Sequence, residues 1–237
     1  GYSVKKGFSY LFSETEGSSG STGSIVFRAT EAYLNYIEAS YLKEGAINSK
    51  ASGYWEAIRE RAGVNPDFSV TVAATDISKE AENDFAAYSA GSLLNDPVLY
   101  NIRRERRGEL IAEGMRLFDL RRWRALDQLK TDPHIIEGFK LWGPMSEWYV
   151  DEDGSTLLIE PGDAGVANVS SSEESSYLMP YRINVGSGNP VSDGYSWAFA
   201  HYLQPIAVSH FLITGGASSV IYQNPGWSTE AGSGAEF

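Results

Sequence analysis

The sequence contains no cysteine. Disulfide frameworks, thiolate metal sites and cysteine nucleophiles are therefore excluded. Positive charge is scarce: 19 Lys and Arg stand against 31 Asp and Glu, a formal charge of −12. Phosphate binding needs a basic face, so nucleic acid is not expected as a partner. No apolar run reaches the roughly 18 residues of a membrane-spanning helix. The chain opens on Gly1-Tyr2-Ser3, with neither an initiator Met nor a signal-peptide pattern. It is expected to be a fragment or a processed product, with any export signal or lipid-bearing Cys upstream. The histidines, His134, His201 and His210, lack HExxH-like spacing, so no zinc site is expected. There is no GxSxG, P-loop or GxGxxG motif, and no cofactor is expected. The acidic loop Asp151-Glu152-Asp153-Gly154-Ser155 fails the calcium-loop spacing, because its glycine comes two places early and no acid fills the twelfth position.

Apolar material is plentiful. Hydrophobic residues make up 42% of 237 residues, ample for one large domain or two small ones. Aromatics reach 13%, which leans toward an extracytoplasmic binding protein, although rings also fill cores.

Periodicity divides the chain near residue 140. A basic-aromatic piece, Gly1 to Phe12, precedes a Gly/Ser-rich loop over 13–24 that cannot bury enough apolar area to hold a fixed shape. Residues 25–44 are expected to hold a helix with Ala29, Ala32, Tyr33, Tyr36, Ile37, Ser40 and Tyr41 in one stripe, stopped at Gly45. A second helix is expected over 50–62, with Tyr54, Trp55, Ile58 and Ala62 inward, and Ala32 and Ala39 allowing close approach. The two make a helical hairpin of tetratricopeptide type, without a clean internal repeat. A third helix is expected over 76–90. Asn95-Asp96-Pro97 is a strong start signal for a helix from Val98 to Glu113, and another stretch follows from Leu117 to Leu129. Beyond Lys140 periodicity fades, and aromatics lie scattered among Gly, Ser and Pro. The expectation is a mainly α fold: a helical scaffold over 1–139 and a loop-rich, irregular segment over 140–237 packed on the helices in one continuous structure.

Eight arginines fall between Arg103 and Arg124 against four acids, a net +4, while the rest of the chain carries −16. Three readings compete: an anion-binding helix, a solvated charged face, and an internal ion-pair network. Glu105, Glu109 and Glu113 share one helix face, which argues against anion binding. Ile102, Leu110, Ile111, Leu117, Phe118, Leu120 and Trp123 interleave with the charges, and charges placed among core residues must be paired. The structural network is favoured, built from Arg104, Glu105, Arg106, Glu109, Glu113, Arg116, Asp119 and Arg121.

The run Arg104-Glu105-Arg106-Arg107, Glu109-Leu110, Glu113-Gly114, Arg116, Phe118-Asp119-Leu120-Arg121-Arg122-Trp123 closely resembles the RxERRxEL–EGxRxFDLRRW signature of SusD/RagB-like outer-membrane proteins. Three more segments match in the family's order. Arg28–Ala39 (RATEAYLNYIEA) resembles its "RYAEVLLNYAEA" helix. Ile58–Val64 (IRERAGV) resembles its "VRxRAG" helix end, and Tyr202–Trp227 (YLQPIAVSHF … YQNPGW) its "YLxPIPxxE … QNPGY" ending. Departures occur at Gly108, a helix former in the family, and at Ala207-Val208-Ser209-His210, where the family's Glu after the PI motif is missing. The resemblance implies a tetratricopeptide-like helical scaffold. It implies a lipid-anchored protein on the outer face of the outer membrane, meeting the membrane only through an anchor outside this chain. It implies a TonB-dependent, SusC-like transporter as partner, to which the protein delivers oligosaccharides or, in some relatives, peptides.

A sugar site combines an aromatic platform with side-chain donors and acceptors, because a sugar's C–H face packs on a ring while its hydroxyls need partners. The candidates here are Trp142, Trp148 and Tyr149 with Asp151 and Asp153 nearby, and then Tyr195 and Trp197 with Asp193. For each ring, core packing competes with ligand contact. No motif places a pair of carboxylates for catalysis, so no catalytic residue is assigned and the protein is not expected to be an enzyme. A peptide-binding or purely scaffolding subunit is the alternative reading, and a glycoside hydrolase a weaker one.

Overall fold

The computed structural model describes residues 6–7, 9–15, 20, 23, 25–186, 188–215 and 220–236. The Gly1–Phe12 piece and the 13–24 loop therefore lie largely outside the described residues. The chain forms two compact units, residues 3–127 and a second built on residues 128–237.

The first unit is helical. In chain order it carries α1 (Phe12–Thr15), α2 (Ala29–Glu44), α3 (Ser49–Arg61), α4 (Phe68–Ala73), α5 (Ile77–Glu80), a 3₁₀ turn at Phe85–Ala87, β1 (Tyr88–Ser89), β2 (Ser92–Leu93), α6 (Pro97–Glu109) and α7 (Arg116–Arg122). Its core gathers Leu34 and Ile37 from α2, Ala51, Trp55 and Ile58 from α3, Ile102 from α6, and Leu110. Tyr33, Tyr36, Tyr41 and Tyr54 pack half-buried around that centre.

Local signals set the ends of these helices. Gly45 adopts φ +71°, a left-handed conformation that glycine reaches without a Cβ clash, and its N–H bonds back to the Tyr41 carbonyl. The Asn48 side chain accepts from the Ala51 N–H and starts α3. Asp96 accepts from the N–H groups of Val98 and Leu99 while Pro97 occupies the first turn of α6. The helical hairpin α2–α3 thus stands where the sequence places it. The inward stripe of α2 is different. Ala29, Ala32 and Ala39 are exposed, as is Ala62 after α3, while Leu34 and Glu38 are buried. Alanine buries too little area to decide which face turns inward; Leu34, Ile37 and the Tyr41 ring decide it.

Three expected helices are shorter or broken. Residues 76–90 hold only α5, the 3₁₀ turn and β1. Asp76 caps α5 through the Ser78 N–H and Asp84 caps the 3₁₀ turn through the Ala86 N–H, so each aspartate starts a new element instead of continuing one. β1 pairs antiparallel with β2 across Ala90-Gly91, both at positive φ (51° and 75°), the geometry of a two-residue hairpin turn. α6 stops at Glu109 rather than Glu113, because Ala112 and Gly114 both take positive φ. The last expected stretch ends at Arg122. There Arg124 sits at φ 50°, its N–H bonds to the Arg121 carbonyl and the Ala125 N–H bonds to that of Leu120, a Schellman ending without glycine. Helix α4 is an addition. Its Val70-Thr71-Val72 run is a poor helix signal, but Asp67 caps it and Phe68 stacks flat on Trp55, with centroids 4.2 Å apart.

The second unit is loop-rich. It contains 3₁₀ turns at Asp127–Lys130, Ser146–Trp148, Pro180–Arg182 and Phe199–Tyr202, and the short helix α8 (Val208–Ile213). Single bridges join His134 to Tyr195 and Val150 to Thr156. Leu129, Leu141, Val169, Met179, Ala200 and Phe211 are buried. The closing motif is tied by side-chain amides. Gln223 accepts from the Ile206 N–H (2.8 Å) and donates to its carbonyl (3.0 Å), and Asn224 donates to the Gln204 carbonyl (2.6 Å). Trp227 Nε1 donates to the Ala200 carbonyl (2.9 Å) and that of Leu203 (3.0 Å). These bonds satisfy backbone groups in a segment with almost no regular structure to do so.

Candidate functional site

Most charges of the Arg103–Arg124 segment meet partners outside the segment, and Asp119 answers two arginines within it. Glu105 accepts from Arg59 (2.8 Å) and from Trp55 Nε1 (2.8 Å). Glu109 pairs with Arg28 (2.5 Å) and Arg61 (2.6 Å). Glu113 pairs with Arg28 (2.6 Å) and with Lys6. Arg106, 3% exposed, donates through Nε to Asp119 (2.7 Å) and through Nη1 to Asn35 (2.8 Å). Asp119 also accepts from Arg122 (2.9 Å), whose other guanidinium nitrogens grip buried Glu38 at 2.7 and 2.6 Å. Trp123 Nε1 completes Glu38 at 2.6 Å. Arg104 reaches Glu80 (3.0 Å), while Arg107 and Arg116 share Asp84. Arg121 makes no ion pair among the described residues.

The sequence reading overlooked Arg28, Glu38, Arg59, Arg61, Asp84 and Arg122. Four of them lie in the RATEAYLNYIEA and IRERAGV segments, so the ordered matches themselves were the available signal. The electrostatics follow the contacts. Hydrogen bonding to Glu113 raises the pKa of Arg28, and the same contact leads in lowering that of Glu113. Arg103 has carbonyl partners, Ala86 and Tyr88 at 3.1 Å each, in place of a close carboxylate, and burial pushes its pKa down to about 10. Its guanidinium lies 4.8 Å from the centre of the Trp123 ring, and that of Arg122 lies 4.7 Å from it.

Asp84 supplies a pH test. Burial raises its pKa, but the Ala86 N–H and the cations Arg116 and Arg107 outweigh burial and hold it below the ordinary carboxylate range. A depressed folded-state pKa contributes stability above the unfolded value, about 3.9. That contribution is lost as pH falls through the folded value. Asp84→Asn is therefore expected to be less stable than wild type at pH 7, with the gap narrowing as the pH falls below the unfolded value of about 3.9. Denaturant midpoints measured across that range check it, and a gap of constant size would contradict the assignment.

The proposed ligand residues fall in three surroundings, all in the second unit. Trp148 ends a 3₁₀ turn and is 72% exposed, with Tyr149 partly exposed beside it. Asp151 follows on the same loop, where its Oδ1 accepts from the N–H groups of Asp153 (3.0 Å) and Ser155 (2.8 Å). It shapes the turn that presents the two rings. Tyr149 also lines a pocket of about 300 Å³ with Phe139, Leu141, Leu157, Leu158, Asn168, Val169 and Leu178. The lining amide, Asn168, is used at both ends, accepting from Ile159 N–H (2.9 Å) and donating to the Leu157 carbonyl (2.9 Å). Tyr195 meets Tyr181 edge-on at 5.6 Å, and both are partly exposed. Tyr181 was not singled out from the sequence. Trp197 packs edge-on against His201 and Tyr202, each at 5.2 Å. Trp142 is half-buried and its Nε1 has no hydrogen-bond partner among the described residues. Asp153 and Asp193 are exposed.

Among the described residues no group of three or more His, Asp or Glu is placed to hold a metal ion, and no helix is long and apolar enough to cross a membrane. Compared with known families, residues 1–227 match the SusD family. The chain belongs to the SusD family. None of the curated proteins and none of the solved structures matched it. As a SusD-family chain it carries that family's tetratricopeptide-like helical scaffold, and the mainly helical architecture agrees. SusD-family proteins are nutrient-binding lipoproteins associated with the outer membrane, and they are generally not catalysts. The Arg/Glu signature of this SusD-family chain is spent on joining α2, α3, α6 and α7 to one another.

Proposed function

We propose that this chain is part of a non-catalytic cell-surface subunit that binds oligosaccharides and delivers them to a TonB-dependent, SusC-like outer-membrane transporter. It is held on the outer face of the outer membrane by a lipid anchor outside the chain. The family match over residues 1–227 carries this reading. The exposed Trp148–Tyr149 pair supports it as the ring platform, because a largely solvated indole on a short turn contributes little to folding and much to a sugar's C–H face. Calorimetric titration with a panel of neutral oligosaccharides tests it. Binding is expected for at least one glycan, and Trp148→Ala is expected to weaken it about tenfold, roughly 1.4 kcal/mol, with an unchanged melting temperature. No binding to any glycan, or equal binding by the variant, would sink it. A transporter reading frame of the TonB-dependent type beside this one, and co-purification with its product, would test the partner.

One observation favours a second reading. The pocket next to Tyr149 is lined almost wholly by aliphatic and aromatic carbons, and its amide is already used. Such a pocket suits an apolar peptide side chain better than hydroxyls. Peptides with Leu or Phe belong in the same titration panel, and their binding in place of glycans would establish the peptide subunit instead.

A further inference from the structure

The helical unit holds a second concavity, unrelated to the rings above. It lies where α6 ends and α7 begins and has a volume of about 370 Å³. Leu110, Ile111, Met115 and Leu117 line its apolar part, and Arg107 and Arg116 line it too, as do Arg106 and Asp119, which pair with each other. Ile111 and Leu117 are more than half exposed, so they do not serve the core of this unit.

The ion pairs around this cleft are unevenly matched. Arg106 and Arg122 share Asp119, and Arg122 has Glu38 as well. Arg107 and Arg116 have one carboxylate between them, Asp84, which is 2% exposed and bonds Arg107 through Oδ2 (3.0 Å) and Arg116 through Oδ1. One positive charge is left over at the cleft wall. Arg116 Nη1 is also withdrawn from solvent and has no hydrogen-bond partner among the described residues.

We propose that this cleft binds a small amphipathic carboxylate, an aryl- or alkyl-alkanoate. Its carboxylate pairs with Arg107 and Arg116, and its apolar body lies on Leu110, Ile111 and Leu117. The volume falls in the range of small-molecule sites, roughly 300–1,000 Å³. A neutral sugar would leave the surplus charge unmatched, and a bare phosphate would leave the apolar wall wet. Guanidinium pairs favour planar carboxylates through parallel hydrogen bonds.

The test is an NMR titration of the whole chain with 4-phenylbutyrate, its amide and 4-phenylbutylamine. Saturable binding of the acid is expected, with shifts at Leu110, Ile111 and Leu117, and at least tenfold weaker binding of the amide and the amine. Arg116→Gln risks unfolding because Asp84 is buried. Arg107→Gln and Leu117→Ser, both at half-exposed side chains, are expected to fold and to weaken the acid at least fivefold. Absence of saturable binding overturns the proposal, as does equal binding of acid and amide, or unchanged affinity in both variants. The glycan reading of the second unit stands or falls separately.

Discussion

Replacing Arg106 with alanine is expected to lower the free energy of unfolding by about 3 kcal/mol. The side chain is almost completely buried and donates to Asp119 and to Asn35. Removing one partner of a buried pair costs about 3–5 kcal/mol, because the remaining charge stays out of water. Asp119 keeps its bond to Arg122, so the lower end of that range applies. The contrast lies within the same network. Arg61 also pairs with an acid, Glu109, but its side chain is 56% exposed. Exposed pairs contribute about 0–1 kcal/mol, so Arg61→Ala is expected to shift the urea midpoint hardly at all. Equilibrium denaturation of the two variants checks both values. Equal, small effects would show that the burial of Arg106 contributes nothing to its pairing.

The second large effect belongs to Trp55. Trp55→Ala is expected to cost about 3–5 kcal/mol, the range for large aromatic truncations in a core. The indole is 1% exposed, stacks on Phe68 and donates to Glu105 at 2.8 Å. Its loss removes the anchor of α4, whose Phe68 and Val72 pack against this core. Trp55→Phe keeps a ring for Phe68 and loses the donor, so a loss of about 1–2 kcal/mol is expected for the bond and the smaller volume. Hydrogen exchange adds a local readout: amide protection over Phe68–Ala73 should fall in the alanine variant well before that of α2. Loss of protection in α2 and α4 together, at a global cost below about 1 kcal/mol, would contradict this account.

Much of the helical unit was legible because its signals are local. Gly45 and the Asp96-Pro97 pair act on N–H and carbonyl groups within four residues of themselves, and they ended and began helices as expected, as Asn48 begins α3. The same kind of signal was misread over 76–90. There an amphipathic spacing pointed to one helix while Asp76, Asp84 and the Ala90-Gly91 turn divided it. Helix α4 had no periodic signature at all. It exists because Asp67 caps it and Trp55 offers a flat face to Phe68.

In the second unit less could be read. Composition supplies the rings but not their surroundings. Trp148 and Trp197 look alike in sequence, each an indole in a loop-rich stretch. One is largely solvated and the other is wedged among His201 and Tyr202. Exposure depends on how the following turn folds neighbours back on the ring, here the 3₁₀ turn at Phe199–Tyr202, and composition does not show that turn.

The Arg/Glu signature shows where the division runs. Its residue types and spacing identified the family and required that its charges be answered, since Arg and carboxylate among core residues cannot stay unpaired. Many of the partners lie far along the chain, 46 residues apart for Arg59 and Glu105 and 85 for Arg28 and Glu113. Periodicity and capping extend over a turn or two of helix. Pairing across such distances depends on which helices meet and at which faces, and that was decided only when α2, α3 and α6 packed around Trp55 and Ile102.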